Sequence, residues 1–386
     1  RAGAPSGGDG SRDAPFATVT EATEGLAADV IVALARGTYD EAIRLNGTRV
    51  TLWGACVAET ILTCSQPSDS AGTLTIVSRE TGVRNLSIRG GLRPGLWVGS
   101  GLSVHLEDVV IAEADALGAL VTDGGHLSGR SVVIRDTASG AADGLFGRGL
   151  YVQTRSTAEL ERVAFIGNRE SAVHVRSEGS SLRLADAVIA RTAGQQHDRI
   201  LGRGLEARQS ATVELERVVV EDNRDASIIC FDAGTELSGT DVVLRRSARD
   251  ELNQDGGHGL AVVLGPAVTM TRLVVDDFTG FGLFVLGEDT SLDVEDLVLV
   301  GGRPRDAPYA GAGALVDMGG HLSIARGLLA RNSDVGIFVS GDGSSLLLTD
   351  VTVADTIATD GVEPGSRALH AQLGARVEGV RAAFLR

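Results

Sequence analysis

The sequence repeats itself at an interval of 55 residues, and this repeat limits the possible folds more than any other feature. Residues 147–168 read GRGLYVQTRSTAELERVAFIGN, and residues 202–223 read GRGLEARQSATVELERVVVEDN. Equivalent apolar positions can be followed through the chain at Leu150, Val173, Leu205, Ile228, Leu260, Leu283, Leu315, Ile337 and Leu369. The intervals alternate between about 23 and about 32 residues. The repeat is therefore a pair of coils, one of which carries an insertion.

A coil of about 23 residues is shorter than a βαβ unit or a propeller blade. Each coil contains short apolar segments, which fit one turn of a parallel β-helix. In such a fold each strand pairs with the equivalent strand of the next coil, about 4.8 Å away. Like side chains then stack on one another, which explains why successive coils are near copies. The sequence predicts an all-β protein, a single parallel β-helix solenoid.

The composition agrees with many short buried strands joined by tight turns. The chain has 51 Gly, 8 Pro and 4% aromatic residues, and its 43% hydrophobic residues are mostly aliphatic. The net charge of −16 argues against nucleic acid as a partner, because that requires a basic surface. The sequence contains no lysine, which excludes lysine Schiff-base chemistry. No apolar run is long enough to span a membrane, so we do not expect a transmembrane protein.

Asparagines recur at the end of a repeated strand. Asn168, Asn223 and Asn332 occupy equivalent sites, with Asp277 or Phe278 in the remaining copy. Asparagine tolerates the left-handed backbone conformation that a sharp turn requires. We therefore expect a structural column of turn asparagines that also hydrogen-bond to their neighbours.

A second column alternates in charge from coil to coil. Its members are Arg162, Asp186, Arg217, Asp241, Arg272, Asp296, Arg326, Asp350 and Arg381. Opposite charges then become neighbours in the stack, whereas a slip by one coil would place like charges together. This pattern predicts a structural ladder that fixes the register of the coils.

The ends of the chain differ from its middle. We expect a flexible segment over residues 1–12, and a helical cap over residues 13–28, because Phe16, Val19 and Ala22 have helical spacing. Residues 29–137 would form irregular first coils and residues 138–386 the double-coil repeats. The cap would cover an otherwise bare β edge. At the other end, the solenoid would continue or pack on another chain.

The cysteines leave two alternatives open. Cys56 and Cys64 are close enough in sequence for a local disulfide, which would indicate an oxidising compartment. They can equally be two unpaired thiols of the core. Cys230, within SIICF, has the surroundings of a buried thiol.

Three short motifs near the N-terminus carry a family resemblance. They are G-D-G at residues 8–10, P-F-x-T at residues 15–18 and G-T-Y-x-E at residues 37–41. The segment resembles the opening of right-handed parallel β-helix proteins of the pectate-lyase-like superfamily. That resemblance implies a right-handed helix with a short N-terminal capping helix. The superfamily includes polysaccharide lyases, glycoside hydrolases, adhesins and bacterial surface proteins, so it implies an exported bacterial protein, secreted or on the cell surface.

The sequence offers no clear catalytic centre. The aspartates of the charge column alternate with arginines, which disfavours a metal site; we expect no cofactor, and Ca²⁺ is the one metal that the carboxylates leave open. Residues 253–259, NQDGGHG, resemble fragments of polygalacturonase motifs by chance, since the R-x-K motif of that family needs lysine. His126 and His321 both lie in GGHLS, which we interpret as a repeated turn. Trp53 lies in a strand-like run, and we expect it to be packed.

The insertions are the best functional lead. They cover residues 138–149, 193–204, 248–259, 302–313 and 358–368, and their sequences differ while the coils repeat. Variable loops on a rigid scaffold are common binding sites. The candidate binding residues are Asp143, Arg148, His197, Asp198, Arg203, Asn253, Asp255, His258, Arg305, Asp306 and Tyr309. Our first hypothesis is a non-catalytic protein that binds glycan or another surface through this ladder of loops. The alternatives are a polysaccharide lyase or glycoside hydrolase, and loops that only pack on each other.

Overall fold

The strands of this protein pair in parallel with the equivalent strands of the next coil, so the predicted all-β class and parallel β-helix are confirmed. The computed structural model describes residues 1–25, 28–66, 71–91, 94–303, 311–358 and 366–385. Within these residues there is one helix, α1 (Val19–Thr23). The fold is therefore built almost wholly from strands and turns.

The strands follow one another along the chain as β1 (Val30–Leu34), β2 (Gly37–Asp40), β3 (Ile43–Leu45), β4 (Val50–Gly54), β5 (Thr60–Thr63), β6 (Leu74–Ile76), β7 (Thr81–Arg89), β8 (Leu96–Val98), β9 (Ser103–Ala112), β10 (Leu117–Val121), β11 (His126–Arg135), β12 (Arg148–Val152), β13 (Thr157–Ile166), β14 (Ser171–Arg176), β15 (Ser181–Ala190), β16 (Arg203–Arg208), β17 (Thr212–Glu221), β18 (Ala226–Phe231), β19 (Glu236–Arg245), β20 (His258–Val263), β21 (Ala267–Asp276), β22 (Leu283–Leu286), β23 (Ser291–Val300), β24 (Ala314–Asp317), β25 (His321–Ala330), β26 (Val335–Ser340), β27 (Ser345–Ala354), β28 (Arg367–Gln372), β29 (Arg376–Val380) and β30 (Ala383–Phe384).

The chain divides into two compact units. The first comprises Arg1–His174, Gly179–Ala185 and Gln195–His197, and the second comprises Val175–Glu178, Asp186–Gly194 and Asp198–Arg386. In each unit, long strands such as β11 or β19 form what we call the bent sheet. Short strands such as β10 or β20 form the straight sheet. Aliphatic side chains from both sheets fill the interior of each coil.

The bent sheet owes its name to one left-handed residue in the middle of each long strand. In β19 and β21 these residues are Asp241, with φ of 58°, and Arg272, with φ of 55°. The pairing passes over them, because Thr240 pairs with Thr271 and the next pair joins the residues two positions further on. The predicted charge column therefore lies along a corner of the coil.

The corner charges form discrete pairs. Two guanidinium nitrogens of Arg217 lie 2.6 and 3.0 Å from the carboxylate of Asp186, and Arg272 lies 2.6 and 2.8 Å from that of Asp241. Each hydrogen-bonded arginine lowers the pKa of its aspartate. The same pairing joins Arg326 to Asp296 and Arg381 to Asp350.

The expected continuous ladder is therefore wrong in one respect. Each of these arginines bonds the aspartate of the preceding coil, and among the described residues Arg217 makes no ion pair with Asp241 of the following one. Arg217 acts on Asp241 only through its charge, which adds to the lowering of the Asp241 pKa by the hydrogen-bonded Arg272. Arg162 is exposed and has no ion-pair partner within the described ranges.

The asparagine column makes structural hydrogen bonds, as predicted, but its asparagines are not the left-handed residues of the turns. Asn168 and Asn223 are fully buried, and the left-handed residue is the one before each of them, Gly167 or Asp222. The side-chain oxygen of Asn223 accepts the Thr192 amide at 2.9 Å, and its nitrogen donates to a main-chain carbonyl of the preceding coil at 3.2 Å. The asparagine thus satisfies buried backbone groups where the chain leaves the bent sheet.

The remaining copies show how the fold tolerates changes in this column. Phe278 fills the equivalent buried position after β21, next to the left-handed Asp277. Asn332 is also buried, yet neither polar atom of its side chain has a hydrogen-bond partner among the described residues. The column is therefore defined by its buried place and not by one set of hydrogen bonds.

One marker of the repeat is displaced by a residue. Leu283 pairs with Ala314, and Ala314 pairs with Ile337, so Leu315 is not the inward equivalent. Leu315 instead packs against Phe338 on the other face of the straight sheet. The interval between the inward residues Leu283 and Ala314 is one residue shorter than in the other repeats. Because successive side chains of a strand point to opposite faces, Leu315 then lies on the outer face.

The N-terminal cap explains two of the three motifs, P-F-x-T and G-T-Y-x-E. The helix α1 is shorter than the predicted 13–28 segment, and Thr18 caps its first turn. Glu41, the last residue of G-T-Y-x-E, accepts the Val19 amide at 2.7 Å and the Thr20 amide at 2.9 Å. A carboxylate at this position is favourable because the first amides of a helix lack intrahelical partners. Residues 1–12 include turns held by main-chain hydrogen bonds.

The cysteines do not form a disulfide. Cys64 is buried and its thiol donates to the Gln66 carbonyl, while Cys56 lies in the turn after β4 and is partly exposed. The local disulfide is therefore not realised. Cys230 is fully buried in β18, as its apolar neighbours predicted.

Candidate functional site

The long connections occur in every second coil, as the repeat predicted, and successive loops contact each other. In the first unit the His197 amide donates to the Gly144 carbonyl at 2.9 Å, and the Gln196 amide donates to the Ser139 hydroxyl at 3.0 Å. In the second unit the Glu251 amide donates to the Arg199 carbonyl at 3.2 Å. These hydrogen bonds support the alternative in which the loops brace one another.

The predicted loop carboxylates hold their own loops. One oxygen of Asp143 accepts the amide of Leu145 at 3.0 Å, and one oxygen of Asp198 accepts the amide of Ile200 at 3.1 Å. Such bonds to the backbone two residues on are typical of aspartate in turns. Among the other candidates, the exposed ones are His197, Asn253 and Asp255. The last three, Arg305, Asp306 and Tyr309, lie outside the described residues.

The prediction that Arg148 is displayed for binding is wrong. Arg148 is only 8% exposed, and its guanidinium donates a hydrogen bond of 2.5 Å to the Glu170 carboxylate. The same guanidinium lies 4.5 Å from the ring centre of Tyr151 and 4.9 Å from that of Phe146. A buried arginine needs such partners, because an unpaired buried charge is very unfavourable.

The prediction that Arg203 and His258 are displayed for binding is also wrong. Arg203 bonds Asp225 at 2.5 Å and the buried Glu206 at 2.9 Å. His258 stacks on Phe284 with ring centres 4.7 Å apart, and its Nδ1 accepts a main-chain amide at 3.1 Å. Both side chains lie on the outer face of the straight sheet and contribute to packing there. The loop edge therefore retains few residues for binding a ligand.

A different surface of the first unit carries exposed polar and aromatic side chains. On the outer face of the bent sheet Trp53 is 46% exposed, which overturns the expectation that it is packed. It pairs in register with Arg84, whose guanidinium carbon lies 5.8 Å from the indole centre. Arg84 in turn pairs with Glu107, with a nitrogen–oxygen distance of 3.3 Å. An indole, a guanidinium and a carboxylate thus follow one another from coil to coil.

Two histidines adjoin this row. His105 Nδ1 lies 3.0 Å from the Ser128 hydroxyl, and His126 Nδ1 lies 2.6 Å from the Thr157 hydroxyl. Both help to line a surface depression of about 380 Å³. Gly82 also lines the depression, and a Cβ atom there would lie 2.8 Å from a side-chain oxygen of the preceding coil, so a larger residue would have to displace that side chain. We call these residues, with Trp53, Arg84 and Glu107, the Trp53 face.

Sequence reasoning missed the Trp53 face because its residues come from the irregular first coils. The available signal was alternation, since Gly82 and Arg84, or His105 and Glu107, are two residues apart and so share one side of a strand. Only the pairing of β4, β7, β9 and β11 shows which side is outward and which residues become neighbours.

Two further properties limit the chemistry. Among the described residues no group of three or more His, Cys, Asp or Glu side chains has the arrangement to hold a metal ion. No helix in the described part of the chain has the length and apolar character needed to cross a membrane.

Comparison with known proteins supports the architecture. The model of a family described as a protein of unknown function, DUF1565, matches residues 3–46, the segment that contains the cap motifs. No curated protein sequence matches the chain.

Solved structures that are similar in fold include the following two. The Azotobacter vinelandii mannuronan C-5 epimerase AlgE6 A-module has a TM-score of 0.52 at 13% identity, covering 95% of this chain and 92% of its own. The catalytic unit of a GH87 α-1,3-glucanase from Streptomyces thermodiastaticus has a TM-score of 0.50 at 14% identity, covering 99% and 68%. These similarities show the fold of this protein, a right-handed parallel β-helix. At such low identity, the similarity concerns the fold alone.

Proposed function

We propose that this protein is exported, and that it binds a polysaccharide on the Trp53 face without cleaving it. The observation that carries the proposal is the exposed indole of Trp53, which is contacted on one side by the Arg84 guanidinium. An exposed indole offers a ligand a large, rigid apolar surface with a polar N–H at its edge. An indole plane suits the apolar face of a sugar ring.

The polar neighbours of Trp53 suit the same ligand. Sugar hydroxyls both donate and accept hydrogen bonds, and the imidazoles of His105 and His126 and the hydroxyl of Ser128 can do both. Successive coils present these groups about 4.8 Å apart, so an extended chain lying across the coils meets a new set at each step. The two proteins of similar fold are named for mannuronan and α-1,3-glucan, both of them polysaccharides. The loop edge is the weaker candidate, since Arg148 and Arg203 are engaged internally.

A carbohydrate-active enzyme is the second candidate function. His105 is exposed and Glu107 follows it two residues later on the same side of β9. Imidazole and carboxylate groups are the usual proton-transfer groups of lyases and hydrolases. On this second hypothesis the chain would be a polysaccharide lyase or glycoside hydrolase that acts on the same face.

Tryptophan fluorescence tests the binding proposal, because the chain has only two tryptophans, Trp53 and Trp97. A panel of neutral and uronate-containing polysaccharides is titrated into the full chain. A ligand should change the emission of the wild type, and Trp53→Ala should abolish both the change and the binding measured by calorimetry. Arg84→Gln should weaken binding by about tenfold. Asn253→Ala, at the loop edge, is the matched control and should bind normally.

The same panel separates the two functions. Release of reducing ends, or of unsaturated uronate, is followed over hours with wild type and with His105→Ala. Turnover that disappears in the variant would replace the binding proposal with the enzyme. Normal polysaccharide binding by Trp53→Ala would instead show that the Trp53 face is the wrong surface.

A further inference from the structure

A row of turns in the second unit carries large apolar side chains that are exposed to solvent. These turns follow the straight-sheet strands β20, β22, β24, β26 and β28. Leu264, Met318 and Leu373 are 56%, 59% and 71% exposed. Glu288 and Asp342 lie in the two intervening turns and are also exposed. We call these five residues the apolar-acidic ridge.

The backbone makes the apolar residues more unusual. Leu264, Met318 and Leu373 have φ of 65°, 55° and 54°, in the left-handed region that long side chains without a local hydrogen bond seldom adopt. In the preceding coils the same place is taken by Gln209 and Asp232, also left-handed. The turn therefore does not require an apolar residue. Left-handed backbone strain combined with exposed apolar surface indicates a functional constraint.

The acidic residues of the ridge lack the arginine partners that the aspartates at the corner of the bent sheet have. Glu288 and Asp342 form no ion pair within the described ranges, and the five turns contain no arginine. At the corner of the bent sheet, by contrast, Asp241 and Asp296 are each bound by an arginine. The ridge is thus an apolar surface with uncompensated negative charge. It contains one open groove of about 550 Å³, which is lined by Leu264, Glu288, Met318 and Asp342.

We propose that the apolar-acidic ridge is a docking surface for a basic amphipathic helix of a partner protein, lying along the stacking direction of the coils. Apolar side chains recur every second coil, about 9.6 Å apart. Residues seven apart on a helix are separated by about 10.5 Å. The two spacings differ by roughly 1 Å per step, which side chains can absorb. Basic residues beside the apolar stripe of the helix would reach Glu288 and Asp342.

A synthetic peptide provides the probe. It has about 18 residues, with leucine at heptad spacing and lysine on both sides of the leucine stripe, and spans roughly 27 Å as a helix. Binding to the full chain is measured by fluorescence anisotropy. The designed peptide should bind, whereas a scrambled peptide of the same composition and a version with glutamate in place of lysine should not.

Variants then place the peptide on the ridge. Met318→Asn should weaken binding by about tenfold, while the unfolding midpoint stays equal or rises, because asparagine tolerates the left-handed backbone. Glu288→Gln with Asp342→Asn should weaken binding and flatten its salt dependence. Leu347→Asn is the control, since Leu347 is 42% exposed on the bent sheet, and it should bind like the wild type.

Three outcomes would overturn the proposal. The first is equal affinity of Met318→Asn and wild type for the designed peptide, and the second is equal binding of the scrambled and designed peptides. The third is self-association of the wild type in light scattering that Met318→Asn abolishes, since the ridge would then bind a second copy of this chain.

Discussion

Replacing Asn223 by alanine tests how the turns of this β-helix are stabilised. Asn223 is fully buried and bonds the Thr192 amide at 2.9 Å and the Ile189 carbonyl at 3.2 Å. Alanine removes both hydrogen bonds and leaves the Thr192 amide buried without its acceptor. An unsatisfied buried group costs about 1–3 kcal/mol and the second lost hydrogen bond about 1 kcal/mol, so the free energy of unfolding should fall by about 2–4 kcal/mol.

The chain provides its own control at Asn332. This residue is equally buried, but its side chain makes no hydrogen bond among the described residues. Asn332→Ala removes a desolvated amide and leaves only a small cavity, so stability should change by less than about 1 kcal/mol. Asn168→Ala should behave like Asn223→Ala, because Asn168 bonds the Thr137 amide at 3.2 Å and a carbonyl at 3.1 Å.

The assay combines urea unfolding with amide hydrogen exchange. Exchange is needed because a repeat protein can open in parts, and a single unfolding midpoint then averages over them. In Asn223→Ala the Thr192 amide should exchange much faster than in the wild type. Equal stability losses for Asn223→Ala and Asn332→Ala would refute the reasoning, since the column would then contribute through packing and not through its hydrogen bonds.

Three further predictions concern the corner pairs and the thiols. Asp241→Arg opposes Arg272 and should lower the melting temperature by roughly 1–3 °C. Asp289 is also exposed and left-handed but has no ion pair among the described residues. Asp289→Arg should therefore have less effect, and equal melting temperatures of the two variants would contradict the pairing. Arginine lowers the pKa of the corner aspartates below 3.8. The stabilisation of the fold by these ion pairs is therefore present above pH 3.8 and is lost as the pH falls through the lowered pKa. Melting temperatures of wild type and Arg272→Gln should differ at about pH 6 and converge in acid. Burial raises the pKa of Cys230 to about 12, so a thiol reagent at pH 8 should modify Cys56 in the native protein and reach Cys230 only after unfolding, and rapid native modification of Cys230 would show that β18 opens.

Much of the fold was predictable because stacking converts sequence intervals into spatial contacts. Positions 31 residues apart, such as Asp186 and Arg217, become neighbours on successive coils, and their ion pair follows from that spacing. The role of the asparagines was not predictable in the same way. A recurring asparagine is compatible with a left-handed turn or with capping of backbone groups, and the choice depends on the dihedral angle of the preceding residue.

The candidate site was less predictable than the fold. Arg148 and Arg203 have the polarity of surface residues, and their loop positions suggested exposure. Whether they meet solvent depends on carboxylates and aromatic rings that other strands bring against them. Trp53 shows the reverse case, because a tryptophan in a strand-like run is buried or exposed according to which side of the sheet it occupies.

The amino-acid sequence alone determined the parallel β-helix, the interval between coils and the charged corner, since each follows from a period that is written along the chain. The tertiary structure decided which faces are open: the Trp53 face and the apolar-acidic ridge are exposed, and the arginines of the loop edge are enclosed. The physical reason is that periodicity is a local property, whereas burial is the sum of contacts from coils that lie tens of residues apart.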